Sequence, residues 1–195
     1  MEARRHFADI GLNVNFFQGV HGRTWGLRTV KESNPGYIIP SGHVGLNLSY
    51  WALWQMLSFM PENEFLILED DAYFDRTFIA DFERAYNVLP ANWQFCYVGH
   101  LGVSGAQTLP VTDRLVRLRH GYPHGTHATL VNKTAIPWLL ETQQRAEKHI
   151  DQQLATYSLP GLHTYAFEPS LARQHSYESA QKNQPMWTTI AGSAD

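Results

Sequence analysis

Glu64-Phe65-Leu66-Ile67-Leu68-Glu69-Asp70-Asp71 is the stretch that decides the fold. Phe65 to Leu68 are apolar without alternation, the pattern of an interior strand of an α/β sheet buried on both faces. Glu69, Asp70 and Asp71 follow at once, and in open α/β sheets ligands bind just beyond the carboxyl ends of strands. Adjacent carboxylates repel one another, so clustering them there calls for a compensating cation. Hard oxygen donors suit Mn²⁺ or Mg²⁺, which take one or two carboxylates together with substrate phosphates. The plainer reading is a solvated acidic turn in which Asp70 or Asp71 caps a short helix.

On the amino-terminal side, a helix is expected from about Ser49 to Met60, with Ser49 as N-cap and Pro61 closing it. Its apolar residues lie almost all round (Trp51, Leu53, Trp54, Met56, Leu57, Phe59), so burial on more than one side is expected. The stretch 28–47 is rich in turn formers, and Val14 to Phe17 reads as a short strand. On the other side, an amphipathic helix from about Arg76 to Leu89 is capped by Asp75, and a second central strand runs over 94–99. Further strands are expected at 114–119, 127–131 and 162–167, helices near 133–147 and 150–158, and an irregular tail from about 170. Strands alternating with helices give an α/β domain with a mixed sheet flanked by helices.

The chain is one domain's length, 195 residues, with 44% hydrophobic and 17% charged residues, which excludes a disordered chain. A net charge of −3 argues against a broad nucleic-acid footprint. The lone Cys96 permits no internal disulfide and no thiolate metal cluster. No apolar run reaches membrane-spanning length and the start has no apolar signal core, so a cytoplasmic protein is expected. Oligomeric state has no signature in the sequence.

Three chemistries could use the acidic triplet. A phosphoreceiver domain carries a similar run after its first strand, but it needs a later strand-end Asp and a Lys, and Asp113 in Leu-Pro-Val-Thr-Asp-Arg is not at a strand end. A glycosidase needs carboxyls flanking the scissile bond about 5–10 Å apart, which neighbours on one turn do not readily supply. A nucleotide-sugar transferase uses such acids to hold the metal that bridges a diphosphate.

Several segments, in order, resemble glycosyltransferase family 25, which contains bacterial lipooligosaccharide (lipopolysaccharide-biosynthetic) and collagen galactosyltransferases. They are Phe16-Phe17-Gln18-Gly19-Val20-His21-Gly22, the helix entry Ser41-Gly42-His43-Val44-Gly45-Leu46-Asn47-Leu48-Ser49-Tyr50, and Leu66-Ile67-Leu68-Glu69-Asp70-Asp71-Ala72. Trp93 to Gly99, Gly125-Thr126-His127-Ala128 and Ile150-Asp151-Gln152-Gln153-Leu154 complete the series, which covers most of 14–180. Only the acidic signature is specific alone; the order and spacing make the set so. Leu46 and Tyr50 stand where the family has Cys and His, and Gln94 where it has Asp. The family's opening strand has no counterpart ahead of Arg4-Arg5, the remnant of its Arg-rich helix start.

The resemblance implies a GT-A fold, a nucleotide-sugar donor (UDP-galactose or UDP-glucose), Mn²⁺ dependence and inversion at the anomeric carbon, with a glycan or other hydroxyl acceptor. On that reading Asp71, with Glu69 or Asp70, holds the ion. Asp151, at a helix start where the family places an acid facing the acceptor, is the candidate base, its plainer role being a helix cap. His175 is placed as a C-terminal metal ligand, Arg173 as a bidentate donor to the diphosphate, and Gly42 and His127 as pocket residues. His120, His124 and His127 have a zinc-like spacing, but Gly121, Pro123 and Gly125 break any helix that would align them. Trp51 and Trp54 read as core, and Trp187 as a stacking platform for an acceptor or a neighbouring chain. Two alternatives are a non-catalytic nucleotide-sugar-binding module on this fold and a transferase acting on modified DNA bases.

Overall fold

In a computed structural model, the structure describes residues 2–25, 30–31, 38–103, 106–121 and 123–174. The elements in order are α1 (Glu2–Asp9), β1 (Val30–Lys31), β2 (Ile38–Ile39), α2 (Ser41–Ser58), β3 (Glu64–Leu68), β4 (Ala72–Tyr73), α3 (Phe78–Tyr86) and β5 (Phe95–Gly99). There follow β6 (Ala106–Pro110), β7 (Leu115–Gly121), β8 (Ala128–Asn132), α4 (Ile136–Thr142), α5 (Ile150–Gln153), β9 (Thr164–Phe167) and β10 (Arg173–Gln174). Six strands form one mixed sheet in the order β3-β8-β5-β9-β7-β6, with β5 parallel to β9 and the other pairs antiparallel.

Helices cover both faces, and strand side chains alternate between two cores. Phe95 and Tyr97 point to the core beneath α2, α4 and α5, together with Tyr50, Trp54, Leu57, Ile136 and Leu139. Cys96 and Val98 point to the other, with Phe7 of α1 and Phe78 and Ala85 of α3. This two-sided cover explains the unbroken apolar run of β3, but β3 is an edge strand, not the interior strand expected. The central, fully buried strand is β5.

Helix α2 corrects the sequence reading most. It begins at Ser41, eight residues before the expected Ser49, with Pro40 at its N-cap. Gly42 and Gly45 read as turn formers, yet they lie in its first turns because another backbone passes there. A Cβ on Gly45 would stand 2.5 Å from the Val20 carbonyl oxygen and 2.7 Å from the Gly22 nitrogen. Ser49 sits mid-helix, where its hydroxyl donates to the Gly45 carbonyl (2.8 Å) and accepts from the Val20 N–H (2.7 Å). No strand forms at 14–17: that segment lacks regular structure, and Phe16 fills a gap under Arg4, whose guanidinium lies 3.8 Å from its ring centre.

The remaining differences lie at element ends. α3 is shorter than expected, and Asp75 caps nothing with its side chain; only its carbonyl accepts the Phe78 N–H. The helix expected at 133–147 is a 3₁₀ turn (Lys133–Ala135) followed by α4, and that at 150–158 is α5 followed by a π turn (Leu154–Ser158). β6 escaped the sequence reading because an edge strand with alternating exposure carries a weak pattern. No helix among the described residues is long and apolar enough to cross a membrane.

Replacing glycine by alanine in a helix interior ordinarily adds up to about 1 kcal/mol of stability. At Gly45 the new methyl meets backbone atoms that cannot rotate away, and overpacking of this kind costs about 1–3 kcal/mol. Gly45→Ala is therefore expected to lower the unfolding free energy in a urea titration; an unchanged or raised midpoint would contradict the packing described.

Candidate active site

β3 and β5 both run antiparallel to β8, and β9 runs parallel to β5, so three strands end at one edge of the sheet where β8 begins. That edge gathers the acidic run after β3, His100 after β5, residues 168–174 after β9, and Thr126 and His127 ahead of β8. This is the edge at which open α/β sheets bind ligands.

Glu69 is turned inward. Its Oε1 accepts hydrogen bonds from the Tyr50 hydroxyl (2.8 Å) and the Thr126 hydroxyl (2.7 Å), and its N–H donates to the His127 carbonyl (2.9 Å). The Tyr50 hydroxyl also lies 3.1 Å from the Thr126 carbonyl oxygen. One phenol proton thus faces two acceptors, and both bonds close if a protonated Glu69 carboxyl donates to the phenol oxygen while the phenol donates to the Thr126 carbonyl. Electrostatics agrees: burial first, then the charge of Asp71, pushes Glu69 up to about 8, against the pull of the two hydroxyls.

Asp71 behaves differently. Its Oδ2 accepts from the Gln174 amide (2.7 Å), while its buried Oδ1 has no partner among the described residues. Gln174 belongs to β10, which pairs with β4 directly after the acidic run. Arg173 extends outward to Asp75 (2.9 Å), so the structure places it beside the triplet but on an exposed carboxylate. Asp70 lies in the turn between them with a buried Oδ1.

His127 is fully buried, its Nε2 3.2 Å from the Ala172 carbonyl oxygen. A carbonyl only accepts, so Nε2 carries the proton and Nδ1 keeps a lone pair, buried and without a partner among the described residues. Burial lowers its pKa, so the ring is neutral. Its neighbour must be glycine: a Cβ on Gly99 would stand 2.7 Å from both the His127 ring and the Ala172 side chain.

Two site features were missed by sequence reasoning. Buried His100 accepts the Gly102 N–H at Nδ1 (3.1 Å) and donates from Nε2 to the Phe167 carbonyl (2.9 Å), tying β5 to β9's end. Its signal was its place directly after the second strong strand. The other is a stripe on α2: His43, Asn47 and Tyr50 recur at i, i+4 and i+7, hence on one face. His43 and His149 meet at 2.8 Å through their Nδ1 atoms, and Asn47 donates to the Lys148 carbonyl (2.9 Å). This stripe was legible only with α2 starting at Ser41.

Asp151 lies half-buried in the first turn of α5, its Oδ1 accepting the Gln152 N–H (2.8 Å). No contact among the described residues joins it to the acidic run. Gly42 is buried in the first turn of α2, facing Gly22. His120 and His124 are exposed whereas His127 is buried, so the zinc-like spacing does not assemble. No group of three or more His, Cys, Asp or Glu among the described residues is arranged to hold a metal ion. His175 and Trp187 lie outside the described residues. Asp71 Oδ1 is one donor on offer for a cation, a hard oxygen of the type Mn²⁺ and Mg²⁺ take, so the chemistry fits as a partial ligand set that phosphate oxygens and water would complete.

No family model matches the chain. Curated proteins do. A "Glycosyltransferase 25 family member" of Anopheles gambiae is 26% identical over 155 residues, 71% of this chain and 26% of that protein. One of Aedes aegypti is 28% identical over 159 residues, 70% of this chain and 24% of that protein. A third, of Drosophila pseudoobscura pseudoobscura, is 35% identical over 92 residues, 42% of this chain and 15% of that protein. The chain thus spans about a quarter of the length of the first two.

The Glu69 carboxyl has a direct thermodynamic consequence. Its folded-state value of about 8 lies above the ordinary 4.5, so between these the native state holds a proton that the unfolded chain has lost. The stabilisation is complete below about pH 4.5 and disappears as pH rises through about 8. Without added divalent cations, the wild-type melting temperature should fall between pH 5.5 and 8.5 relative to that of Glu69→Gln. Parallel profiles for the two proteins would refute a protonated Glu69.

Proposed function

We propose that this chain, a relative of the glycosyltransferase 25 family, is a glycosyltransferase of GT-A type that moves a hexose from a nucleotide sugar to a glycan or other hydroxyl acceptor. UDP-galactose or UDP-glucose is the donor we favour, and the cytoplasm the setting, in keeping with a buried, unbridged Cys96. The observation that carries the reading is Asp71 Oδ1: a buried carboxylate oxygen without a partner among the described residues, at the ligand-binding edge of the sheet.

Asp71, with His175 as a further candidate, would hold Mn²⁺ or Mg²⁺, whereas Glu69, expected from the sequence as a ligand, is neutral, turned inward and braces the turn instead. Such an ion supplies Lewis-acid stabilisation of the charge on a departing diphosphate. Gln174 fixes the Asp71 carboxylate by one oxygen, and the other, Oδ1, has no partner among the described residues. Glu69, held by Tyr50 and Thr126, keeps its charge from adding to those of Asp70 and Asp71. Among the described residues the Arg173 guanidinium pairs with the exposed Asp75, a pair that adds little to stability, so it can turn to a diphosphate oxygen. In this mechanism Asp151 takes the proton of the attacking acceptor hydroxyl, and attack opposite the leaving group inverts the anomeric carbon.

UDP with Mn²⁺ is expected to raise the melting temperature, and Asp71→Ala to abolish the shift; no shift with any nucleoside diphosphate would overturn the reading. In a screen of nucleotide sugars, Asp151→Asn is expected to lower kcat about 10²–10⁴-fold, the usual size of general-base catalysis, while the UDP–Mn²⁺ shift persists. Loss of the shift in that variant would assign Asp151 to binding or folding instead.

A further inference from the structure

The segment that follows Asp71 alternates strictly. Ala72 and Phe74 are buried in the core beneath α1 and α3, so Tyr73 leaves the backbone on the opposite side, and Asp75 is exposed as well. Strand β10 lies alongside and places Arg173 directly across from Tyr73. One face of this two-stranded ribbon therefore carries the Tyr73 ring, Arg173 and the Asp75 carboxylate that Arg173 pairs with, while Gln174, opposite Ala72, leaves on the other face and reaches Asp71 in the preceding turn.

Tyr73 is built as a platform. Its ring stacks on that of His6 at 4.4 Å between centres and 9° between planes. His6 is itself held, its Nε2 accepting the Phe74 N–H (3.0 Å). So restrained, Tyr73 still exposes 42% of its surface. The neighbouring polar groups are of the planar, multidentate kind that matches vicinal hydroxyls: a carboxylate accepts from two, and a guanidinium or amide donates to two. An aromatic face flanked by such groups has the chemistry of a pyranose subsite, in which the ring packs against the C–H face of the sugar and the polar groups take its hydroxyls.

We propose that Tyr73, with Asp75 and Arg173, forms the subsite that binds the acceptor pyranose next to Asp71. The proposal rests on the glycosyltransferase reading for the word acceptor, but binding of a pyranose by this ribbon stands on the geometry above. The exposed Arg173–Asp75 pair then serves as a hydroxyl clamp whose two members hold each other in place until a sugar arrives.

The test is saturation-transfer NMR with methyl β-D-galactopyranoside, methyl β-D-glucopyranoside and methyl α-D-mannopyranoside as probes. At least one glycoside should take up saturation on its C–H face, and Tyr73→Ala should weaken its binding about tenfold, the size of an aromatic contact. Tyr73→Phe and Tyr73→Trp should retain binding, and Asp75→Ala, at an exposed position, should weaken it without loss of the native circular dichroism spectrum. Absence of transfer to every glycoside, or equal transfer in the wild type and Tyr73→Ala, overturns the proposal. Tyr73-dependent glycoside binding without a UDP–Mn²⁺ melting shift would leave the subsite standing and sink the transferase reading; the shift with Tyr73-independent binding would do the reverse.

Discussion

The buried carboxyl of Glu69 is the interaction on which the site depends. It joins the end of β3, the face of α2 through Tyr50, and the entry to β8 through Thr126. A charged carboxylate there would pay heavily for leaving water, and the hydroxyl bonds would offset only part of that. A neutral carboxyl removes the difficulty and makes the contact a rigid hydrogen-bonded joint. That joint fixes where the chain turns after β3, and hence where Asp71 begins the ribbon with β10.

A second constraint is steric. His127, Gly99 and Ala172 pack so closely that glycine alone fits on β5, and Ala172 and Gly99 bridge in parallel fashion. His127 donates to the same residue's carbonyl, and the Ser170 hydroxyl accepts the His100 N–H. Residues 168–174 are thereby drawn back over the sheet edge, which is what brings Gln174 to Asp71 and Arg173 beside Tyr73. Close packing around the neutral His127 ring thus decides which side chains border the acidic run.

Much of this was legible in the sequence and some was not, for identifiable reasons. β3 and β5 announced themselves because helices cover both faces of the sheet, and unbroken apolar runs record that cover. The same pattern could not say which strand lies at the edge, since pairing is a property of backbone neighbours. The start of α2 was hidden because glycine's two uses, turning the chain and letting another backbone approach, look identical in one sequence. The departure at Tyr50, where the resembling family has His, became intelligible only with its partner in view: it supplies a hydroxyl to Glu69. Asp71 was found by motif, but the two-residue ribbon that orients it left no periodic trace.

The acidic run itself changes meaning once its environment is known. Read as Glu-Asp-Asp, it implies mutual repulsion strong enough to require a cation. In the fold, Glu69 escapes by holding a proton, and Asp71 gives one oxygen to Gln174. Repulsion alone therefore no longer demands a metal. What argues for a ligand is narrower: Asp71 Oδ1, a buried carboxylate oxygen whose desolvation no described group offsets, with Glu168 Oε2 buried likewise in the segment that follows β9. A bound ion is thus called for less by the charge of the run than by the unmet hydrogen-bonding capacity of particular buried oxygens, Asp71 Oδ1 first among them.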